Sequence, residues 1–350
     1  MVGRVLPPEP IQGPPEPPKV TGPATTKATR PSNKLPQWLT DESRVPFKET
    51  FDAKKHLNFQ PPESVYTMED IGLEGHGISP VAASEPFPLF TPEAVKQIRA
   101  EIFSEPVLKD CQYSSSFAKN MIRGMGRERA PFTCDAWSSP ELLAMVSEVA
   151  GLDLVPVFDY EIANINISIN DDQVQSKGEG SDGEMSSFAW HFDSFPFVCV
   201  TMMSDCTDMV GGETAIRTPS GDIKKVRGPT MGTAIIMQGR YIEHQALKSI
   251  GGHERISKVT AFRPMSHAIR DESILTGSRA ISNWSELYTE YTEYRLELLE
   301  ERIRVMLKKE RVRNSGKRPF SVSDMQLFLK EQKLLIESTM TELIEVEDMN

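Results

Sequence analysis

The stretch FAWHFDSFPF, residues 188–197, opens a long apolar run that continues as VCVTMM. Within it, His191 and Asp193 stand two positions apart. Side chains at this spacing point to the same side of an extended chain. We therefore expect both on one face of a strand, with Trp190 and Phe192 on the opposite face. The run that follows is apolar on both faces, which predicts a sheet whose outer side is covered by helices.

Short, β-branched segments punctuated by glycine-containing turns lie on both sides of this stretch. Many short strands at such spacing predict an antiparallel sandwich or barrel. The strand candidates are LVPVFDYEIANINISI (154–169), ETAIRT (213–218), GDIKKVRG (221–228), GTAIIMQ (232–238), RYIEHQAL (240–247) and RISKVTAFR (255–263).

Helical segments flank the strand-rich region. Thr91 before Pro92, and Ser139 before Pro140, are N-cap signatures, and Gly151 closes the second of these helices. The sequence thus predicts a mainly β fold with helical additions at its N-terminal side.

Two more helices are predicted near the C-terminus, where Asn283 with Glu286 and Ser323 with Gln326 form capping signatures. Together they predict an α-hairpin. Its two roles stay open at this point: it covers the barrel, or it forms a homodimer contact.

The chain divides into four predicted segments. Ten of the 26 prolines fall in residues 1–36, a composition that buries little and favours polyproline II, so this tail is expected to be disordered. Its PxxP spacing also fits an SH3-like partner. An irregular arm follows at 37–79, then the β-rich domain at 80–280 and the helical hairpin at 281–350.

Composition excludes several classes of protein. A net charge of −11 disfavours a nucleic-acid partner. No apolar run has the length of a membrane-spanning helix, and the first residues do not resemble a signal peptide. The four cysteines fit neither a CxxC pair nor a disulfide framework, so we expect reduced thiols and a cytoplasmic location.

A metal site is predicted from His191, Asp193 and a third residue, His244, several strands downstream. Two imidazoles and one carboxylate can occupy one face of an iron ion and leave the other positions open for substrates. A structural zinc site would instead be closed by four protein ligands. We predict that these three residues bind the metal and form the catalytic centre.

A second pair of residues follows in the segment RISKVTAFR. Arg255 and Ser257 share one strand face. An inward-facing guanidinium is costly unless it meets an anion, and its planar fork suits a carboxylate. A dicarboxylate could therefore bind the metal at one end and Arg255 with Ser257 at the other.

The order of these motifs resembles that of the Fe(II)/2-oxoglutarate-dependent dioxygenases. The motifs are His191-x-Asp193, Gly211-Gly212-Glu213-Thr214, His244 and Arg255-x-Ser257. The amino-acid sequence around these motifs is similar to that of a fungal, secondary-metabolite-type branch of the family. The resemblance covers about residues 80–310 and is strongest from 160 to 265.

The resemblance implies a double-stranded β-helix (jelly-roll) core and the cofactors Fe(II), 2-oxoglutarate and O2. It implies that His191, Asp193 and His244 hold the iron, while Arg255 and Ser257 bind 2-oxoglutarate. The implied reaction oxidises a small, amino-acid-like or secondary-metabolite substrate by hydrogen abstraction and releases succinate and CO2.

Three further features have alternative interpretations. Asn164 and Asn166 share a strand face that can line the cofactor pocket, or they are satisfied core amides. Arg123 is a candidate for binding a substrate carboxylate, or it belongs to a solvated basic loop. The polar insertion at 171–187 is a lid or a flexible loop.

Two other functions compete with the dioxygenase. One is a cupin-like metal oxygenase or hydrolase that does not use 2-oxoglutarate. The other is a degenerate barrel that acts as a binding module through its Pro-rich arm or its C-terminal hairpin.

Overall fold

The structure, a computed structural model, describes residues 15–23, 28–32, 34–116, 118–169, 189–207, 209–228 and 230–345. The predicted lid at 171–187 lies outside these residues. The strands are β1 (Val65–Thr67), β2 (Val81–Ser84), β3 (Phe87–Pro88), β4 (Gln112–Tyr113), β5 (Met121–Ile122), β6 (Leu154–Pro156), β7 (Asn164–Ile169), β8 (Phe197–Met202), β9 (Val210–Gly211), β10 (Thr214–Arg217), β11 (Ile223–Val226), β12 (Thr233–Met237), β13 (Glu243–Ala246), β14 (Ser249–Ile250) and β15 (Glu254–Pro264).

Helices precede and follow the strand-rich region. The helices are α1 (Gln37–Glu42), α2 (Ala53–His56), α3 (Pro92–Ile102), α4 (Glu105–Asp110), α5 (Gly126–Arg129), α6 (Pro131–Trp137), α7 (Pro140–Ala150), α8 (Trp284–Ser315) and α9 (Val322–Glu342). Among the described residues, no helix is long and apolar enough to cross a membrane.

Two antiparallel sheets form the barrel. The large sheet has the order β1-β2-β12-β8-β15-β7-β5-β4, and the small sheet has the order β11-β10-β13. A bridge between His191 and His244 extends the small sheet beyond β13. From β8 the chain crosses to the small sheet at β10 and β11, returns to the large sheet at β12, crosses again at β13 and returns at β15, as in a jelly roll. The strands β9 and β14 pair with each other in a separate two-stranded sheet. The predicted β-rich fold with helical additions is confirmed at this level.

The core lies between the outer face of the large sheet and helices α3, α6 and α7. Phe197, Cys199 and Phe262 on the sheet belong to the same buried cluster as Ile98 and Trp137 on the helices. Burying each large apolar side chain stabilises the fold by about 1.5–3 kcal/mol. The run after Asp193, which is apolar on both faces, thus forms a strand whose outer face is covered by helices, as the sequence predicts.

Cap residues fix where the main helices begin. Thr91 accepts a hydrogen bond from the Ala94 amide, and Ser139 accepts one from the Leu142 amide. At the C-terminus, Asn283 caps α8 as predicted. The prediction of Ser323 as the cap of α9 is wrong, because Ser321 accepts the bond from the Asp324 amide.

Two described segments within the predicted tail contact the body of the protein, and the disorder expected over 1–36 stays a prediction. Within residues 15–23, the Pro18 carbonyl accepts a hydrogen bond from Arg240, and Val20 is buried. Further along, Thr29 forms a bridge with Ser114 on the body. These contacts satisfy backbone groups that a free tail would leave to water. The arm at 37–79 also holds regular structure, since β1 pairs with β2 at the edge of the large sheet.

The C-terminal hairpin packs on the body through the first half of α8. Leu287, Tyr291, Tyr294 and Leu298 are buried in a cluster that also holds Leu335 of α9. The hairpin therefore covers part of the body, which is one of its two predicted roles.

Candidate metal and active site

The three predicted metal ligands meet at one point. One ligand atom from each of His191, Asp193 and His244 lies within 4.8 Å of the others. The Nε2 atom of His191 is 3.5 Å from Asp193 Oδ1, and the Nε2 atom of His244 is 3.6 Å from Asp193 Oδ2. Asp193 Oδ2 is buried and has no hydrogen-bond partner among the described residues. A buried carboxylate oxygen facing an imidazole nitrogen beyond hydrogen-bond distance fits a divalent cation between them.

Backbone carbonyls orient both imidazoles. His191 Nδ1 lies 2.7 Å from the Ala189 carbonyl oxygen, and His244 Nδ1 lies 2.9 Å from that of Ile242. With Nδ1 as the donor, Nε2 becomes the ligand atom and points toward Asp193. Such hydrogen bonds fix the tautomer and ring orientation of metal-binding histidines.

The electrostatics suit metal binding at Asp193 and His244. Burial would raise the pKa of Asp193, but the neighbouring His244 and His191 outweigh it and lower that pKa. Burial lowers the pKa of His244 to about 4. At His191, burial opposes the Asp193 carboxylate, and the net effect raises the pKa. Metal binding at neutral pH therefore finds an ionised carboxylate and a neutral His244, and displaces any proton from His191.

The expectation that His191 and Asp193 lie within a strand is wrong. The strand β8 begins only at Phe197, and His191 is held by one bridge to His244, with amide-to-carbonyl distances of 3.0 Å in both directions. Phe192 lines the cavity beside the ligands, while Trp190 lies under the Arg217 guanidinium, 4.1 Å from ring centroid to Cζ. The two-residue alternation fails because the chain bends here to cross between sheets.

Gly239 shapes the site in a way that sequence reasoning missed. The Asp193 amide donates to the Gly239 carbonyl at 2.9 Å, and a Cβ on Gly239 would stand 1.7 Å from Asp193 Oδ2. The sequence presents Gly239 only as a turn residue before Arg240. The sequence around Gly239 does not indicate its contact with the carboxylate of Asp193, because Asp193 lies 46 positions upstream.

A cavity of about 870 Å³ opens between the two sheets and holds the three ligands. The predicted cofactor residues Arg255 and Ser257 line the same cavity from β15. In the described part of the chain, no carboxylate pairs with the Arg255 guanidinium. Gly212 lies beside it, and a Cβ there would be 3.5 Å from Arg255 Nε. An unpaired guanidinium beside a metal site suits an anionic ligand.

Asn164, Asn166 and Arg123 also line this cavity. Arg123 is buried and forms an ion pair with Glu161, whose other oxygen accepts a hydrogen bond from Asn164 at 2.6 Å. The alternative of a solvated basic loop does not hold for Arg123. Its role in binding substrate stays a prediction, as do the cofactor roles of the two asparagines.

No family model and no curated protein matches the chain. Among solved structures, it is similar to an oxidoreductase of the 2OG-Fe(II) oxygenase family from Burkholderia pseudomallei, with 14% identity over 41% of this chain and a TM-score of 0.29. That match spans 65% of the Burkholderia chain, which is less than two thirds of its length.

Two further similar structures cover more of the compared chain. A prolyl-4-hydroxylase from Pseudomonas putida is 15% identical over 53% of this chain and 94% of that one, with a TM-score of 0.33. HygX from Streptomyces hygroscopicus, solved with nickel, 2-oxoglutarate and hygromycin B, is 13% identical over 54% and 84%, also with a TM-score of 0.33. Because these likenesses are weak, the functional conclusion has to come from the residues of the site.

Proposed function

We propose that the protein is an Fe(II)/2-oxoglutarate-dependent dioxygenase that oxidises a small molecule. The supporting observation is that one cavity holds both the His191–Asp193–His244 ligand set and the Arg255 guanidinium, which pairs with no carboxylate of the described residues. Three facial ligands leave iron positions open, and the guanidinium supplies an anchor for a dicarboxylate.

Each residue has a defined task in this proposal. His191 and His244 present Nε2, and Asp193 presents a carboxylate that neutralises part of the metal charge. Arg255 and Ser257 bind the distal carboxylate of 2-oxoglutarate. Iron, 2-oxoglutarate and O2 together supply the oxidant for hydrogen abstraction, with succinate and CO2 as the co-products.

One wall of the cavity is apolar. Val198, Val200, Ile235, Met237 and Val259 line it from three neighbouring strands of the large sheet. A volume of about 870 Å³ fits a small molecule, which supports the secondary-metabolite-type substrate that the resemblance implies.

The test is iron-dependent succinate formation from 2-oxoglutarate by the purified protein in air. We expect formation to require Fe(II) and to disappear in His244→Ala, because that change removes a ligand. Succinate formation that persists without added or bound iron contradicts the proposal. Turnover of a substrate without 2-oxoglutarate would favour the cupin-like alternative.

Gly239→Ala offers an independent test of the metal site. Its Cβ would occupy the space of Asp193 Oδ2, so we expect iron affinity to fall at least about 10-fold, as when support of a metal ligand is lost. Gly316→Ala is the matched control, because its Cβ would meet only ordinary contacts of 3.4 Å or more. Equal iron affinity in both variants, by equilibrium dialysis, would contradict the assigned geometry.

A further inference from the structure

One wall of the cavity, on and beside β5 and β7, carries hydrogen-bond acceptors without donors. The Oδ1 atoms of Asn120, Asn164 and Asn166 are buried and unpaired among the described residues, and all three residues line the cavity. A buried acceptor without a donor costs about 1–3 kcal/mol, so three on one wall indicate a missing ligand group.

The orientation of the Asn164 amide is fixed by its neighbour. Its Nδ2 donates to Glu161 Oε2 at 2.6 Å, and the other Glu161 oxygen is held by Arg123. Turning the amide over would bring its oxygen against the carboxylate. The unpaired atom of Asn164 is therefore an acceptor.

Asn164 also stands away from the Arg255 end of the cavity. The strand register pairs Asn164 with Val259, and it pairs Ser168 with Arg255. Four residues separate Val259 from Arg255, which is about 13 Å along the strand. Asn164 and the guanidinium therefore occupy different rows of the same inner face, and Asn166, paired with Ser257, lies between these rows.

We propose that Asn164 binds a primary ammonium group of the substrate, with Asn120 and Asn166 supplying further acceptors. This inference rests on the proposed function. Ionised 2-oxoglutarate offers only acceptor oxygens, so it cannot satisfy Asn164 Oδ1. An ammonium group carries three donors, one for Asn164 Oδ1 and two for other acceptors on this wall, whereas a hydroxyl group has a single donor.

The wild-type protein allows a direct test. Succinate release with Fe(II) and 2-oxoglutarate is measured with the twenty protein amino acids, and with the corresponding carboxylic acids that lack the amino group. We expect at least one amino acid to raise release about 10-fold or more, and its deaminated counterpart to leave it near the background. An inert amino-acid panel, or equal stimulation by the deaminated acids, overturns the proposal.

The variant Asn164→Leu separates the substrate from the cosubstrate. We expect the amine-dependent stimulation to fall about 10-fold or more, while the dissociation constant of 2-oxoglutarate in anaerobic, iron-loaded protein changes less than about threefold. Asn58→Leu changes an exposed asparagine outside the cavity lining, so it is the matched control and should keep both properties.

A 10-fold loss of 2-oxoglutarate affinity in Asn164→Leu would assign the residue to the cosubstrate and overturn the inference. If this variant does not fold, the comparison of amino acids with deaminated acids decides alone. Failure of the proposed function appears differently, as no 2-oxoglutarate binding by iron-loaded wild-type protein before any amine is added.

A separate observation concerns the C-terminal hairpin, which exposes a row of aliphatic side chains. On each helix they recur at spacings of four or seven residues, which places them on one face. We call this row the apolar strip; it consists of Leu296, Ile303 and Leu307 on α8 and Val322, Leu329, Ile336 and Met340 on α9, each between 41% and 67% exposed.

The two halves of the strip lie on the same side of the hairpin. The helices contact each other where Arg295 donates to Thr339 Oγ1 at 2.9 Å and to the Leu335 carbonyl at 3.1 Å. At 3.6 residues per turn, the strip residues of each helix point about a quarter turn away from the side that faces the other helix. Because the two helices are antiparallel, these rotations carry both sets of side chains to the same side of the hairpin. It is not part of the cluster through which α8 packs on the body.

We infer that the apolar strip binds the strip of a second copy of the chain. Seven half-exposed aliphatic side chains offer roughly 600 Å² per copy, close to the ~800 Å² that each partner buries in a standard interface. Two hairpins joined face to face make a symmetric four-helix arrangement, which covers the apolar strip of both copies.

Sedimentation of the full chain at about 10 μM tests this inference. We expect wild-type protein to sediment with twice the chain mass of 39.2 kDa, and Leu329→Arg to sediment with the mass of one chain. Leu327→Arg is the matched control, because Leu327 is 60% exposed but lies on another side of α9, and it should leave the dimer intact. A monomeric wild-type protein, or the same behaviour in both variants, overturns the inference and assigns the strip to a different partner.

Discussion

Strand β15 carries a cation on each of its two faces. Arg255 points to the cavity, where no carboxylate of the described chain pairs with it. Three residues on, Lys258 points to the helices and is fully buried, without a hydrogen-bond partner for Nζ in the described residues. Its Nζ atom lies over two aromatic rings, 4.3 Å from the centroid of Phe90 and 4.8 Å from that of Trp137.

The comparison shows that the surroundings, and not the charge itself, decide what a buried cation does. Burial lowers the pKa of the Lys258 amine to about 7, so the amine is partly neutral at pH 7 and loses the rest of its charge as the pH rises. The Arg255 guanidinium stays charged at any ordinary pH, so it needs an anion. Only the cavity face has room for one.

The largest expected effect follows from removing the cation on the cavity face. Arg255→Met should weaken 2-oxoglutarate binding at least about 30-fold, because a buried carboxylate held by a guanidinium loses about 2–5 kcal/mol when that partner is removed. Calorimetric titration of anaerobic, iron-loaded protein measures this. Lys258→Met is the control and should bind 2-oxoglutarate within about threefold of wild type. A similar loss of 2-oxoglutarate affinity in both variants would contradict the assignment of anion binding to the cavity face alone.

Removing the cation on the core face should instead stabilise the protein. Lys258→Met is expected to raise the free energy of unfolding at pH 7 by about 1–4 kcal/mol, because Met fills a similar volume with no charge to desolvate. The lost contacts with Phe90 and Trp137 offset about 0.5–2 kcal/mol of the gain. Urea denaturation measures the difference, and a less stable variant at pH 7 would contradict the account of Lys258.

The same pair of proteins gives a pH test. The unfolded chain keeps the lysine proton up to its ordinary pKa of 10.5, while the folded chain releases it near pH 7. Unfolding therefore takes up a proton between these values, and raising the pH stabilises folded wild type by up to about 1.4 kcal/mol per unit. The stability advantage of Lys258→Met should shrink steadily from pH 7 to pH 10. A constant advantage would show that the amine is not neutral in the fold.

The smallest expected effects come from the hydroxyl groups on the two faces. Ser257→Ala should weaken 2-oxoglutarate binding about 3- to 10-fold, the size of one hydrogen bond. Thr260→Val, on the core face, should leave this affinity unchanged and cost about 1 kcal/mol of stability, since Thr260 Oγ1 accepts the Ala163 amide at 3.1 Å. Calorimetry and urea denaturation of both variants separate the two outcomes.

Much of the site was predictable because it depends on residue types that are costly in a core. His191, Asp193 and His244 meet as predicted, and alternation along one strand correctly placed Arg255 and Ser257 on the cavity face. Those inferences use only side-chain chemistry and the two-residue period of a strand.

The missed features depend on contacts between distant segments. Gly239 matters because Asp193 approaches it, and Arg123 is neutralised by Glu161, 38 positions away. Neither contact leaves a local pattern in the sequence. The bend at His191 likewise departs from the strand that its alternation predicts, since a crossing between sheets overrides local propensity.

The most direct test of the central claim is an anaerobic optical titration of the iron-loaded wild-type protein with 2-oxoglutarate. The account predicts a weak visible metal-to-ligand charge-transfer band that saturates at one equivalent of 2-oxoglutarate per iron. It also predicts that Lys258→Met gives the same band. Wild-type protein that binds iron at the three ligands but develops no band would contradict the assignment of the cavity to 2-oxoglutarate.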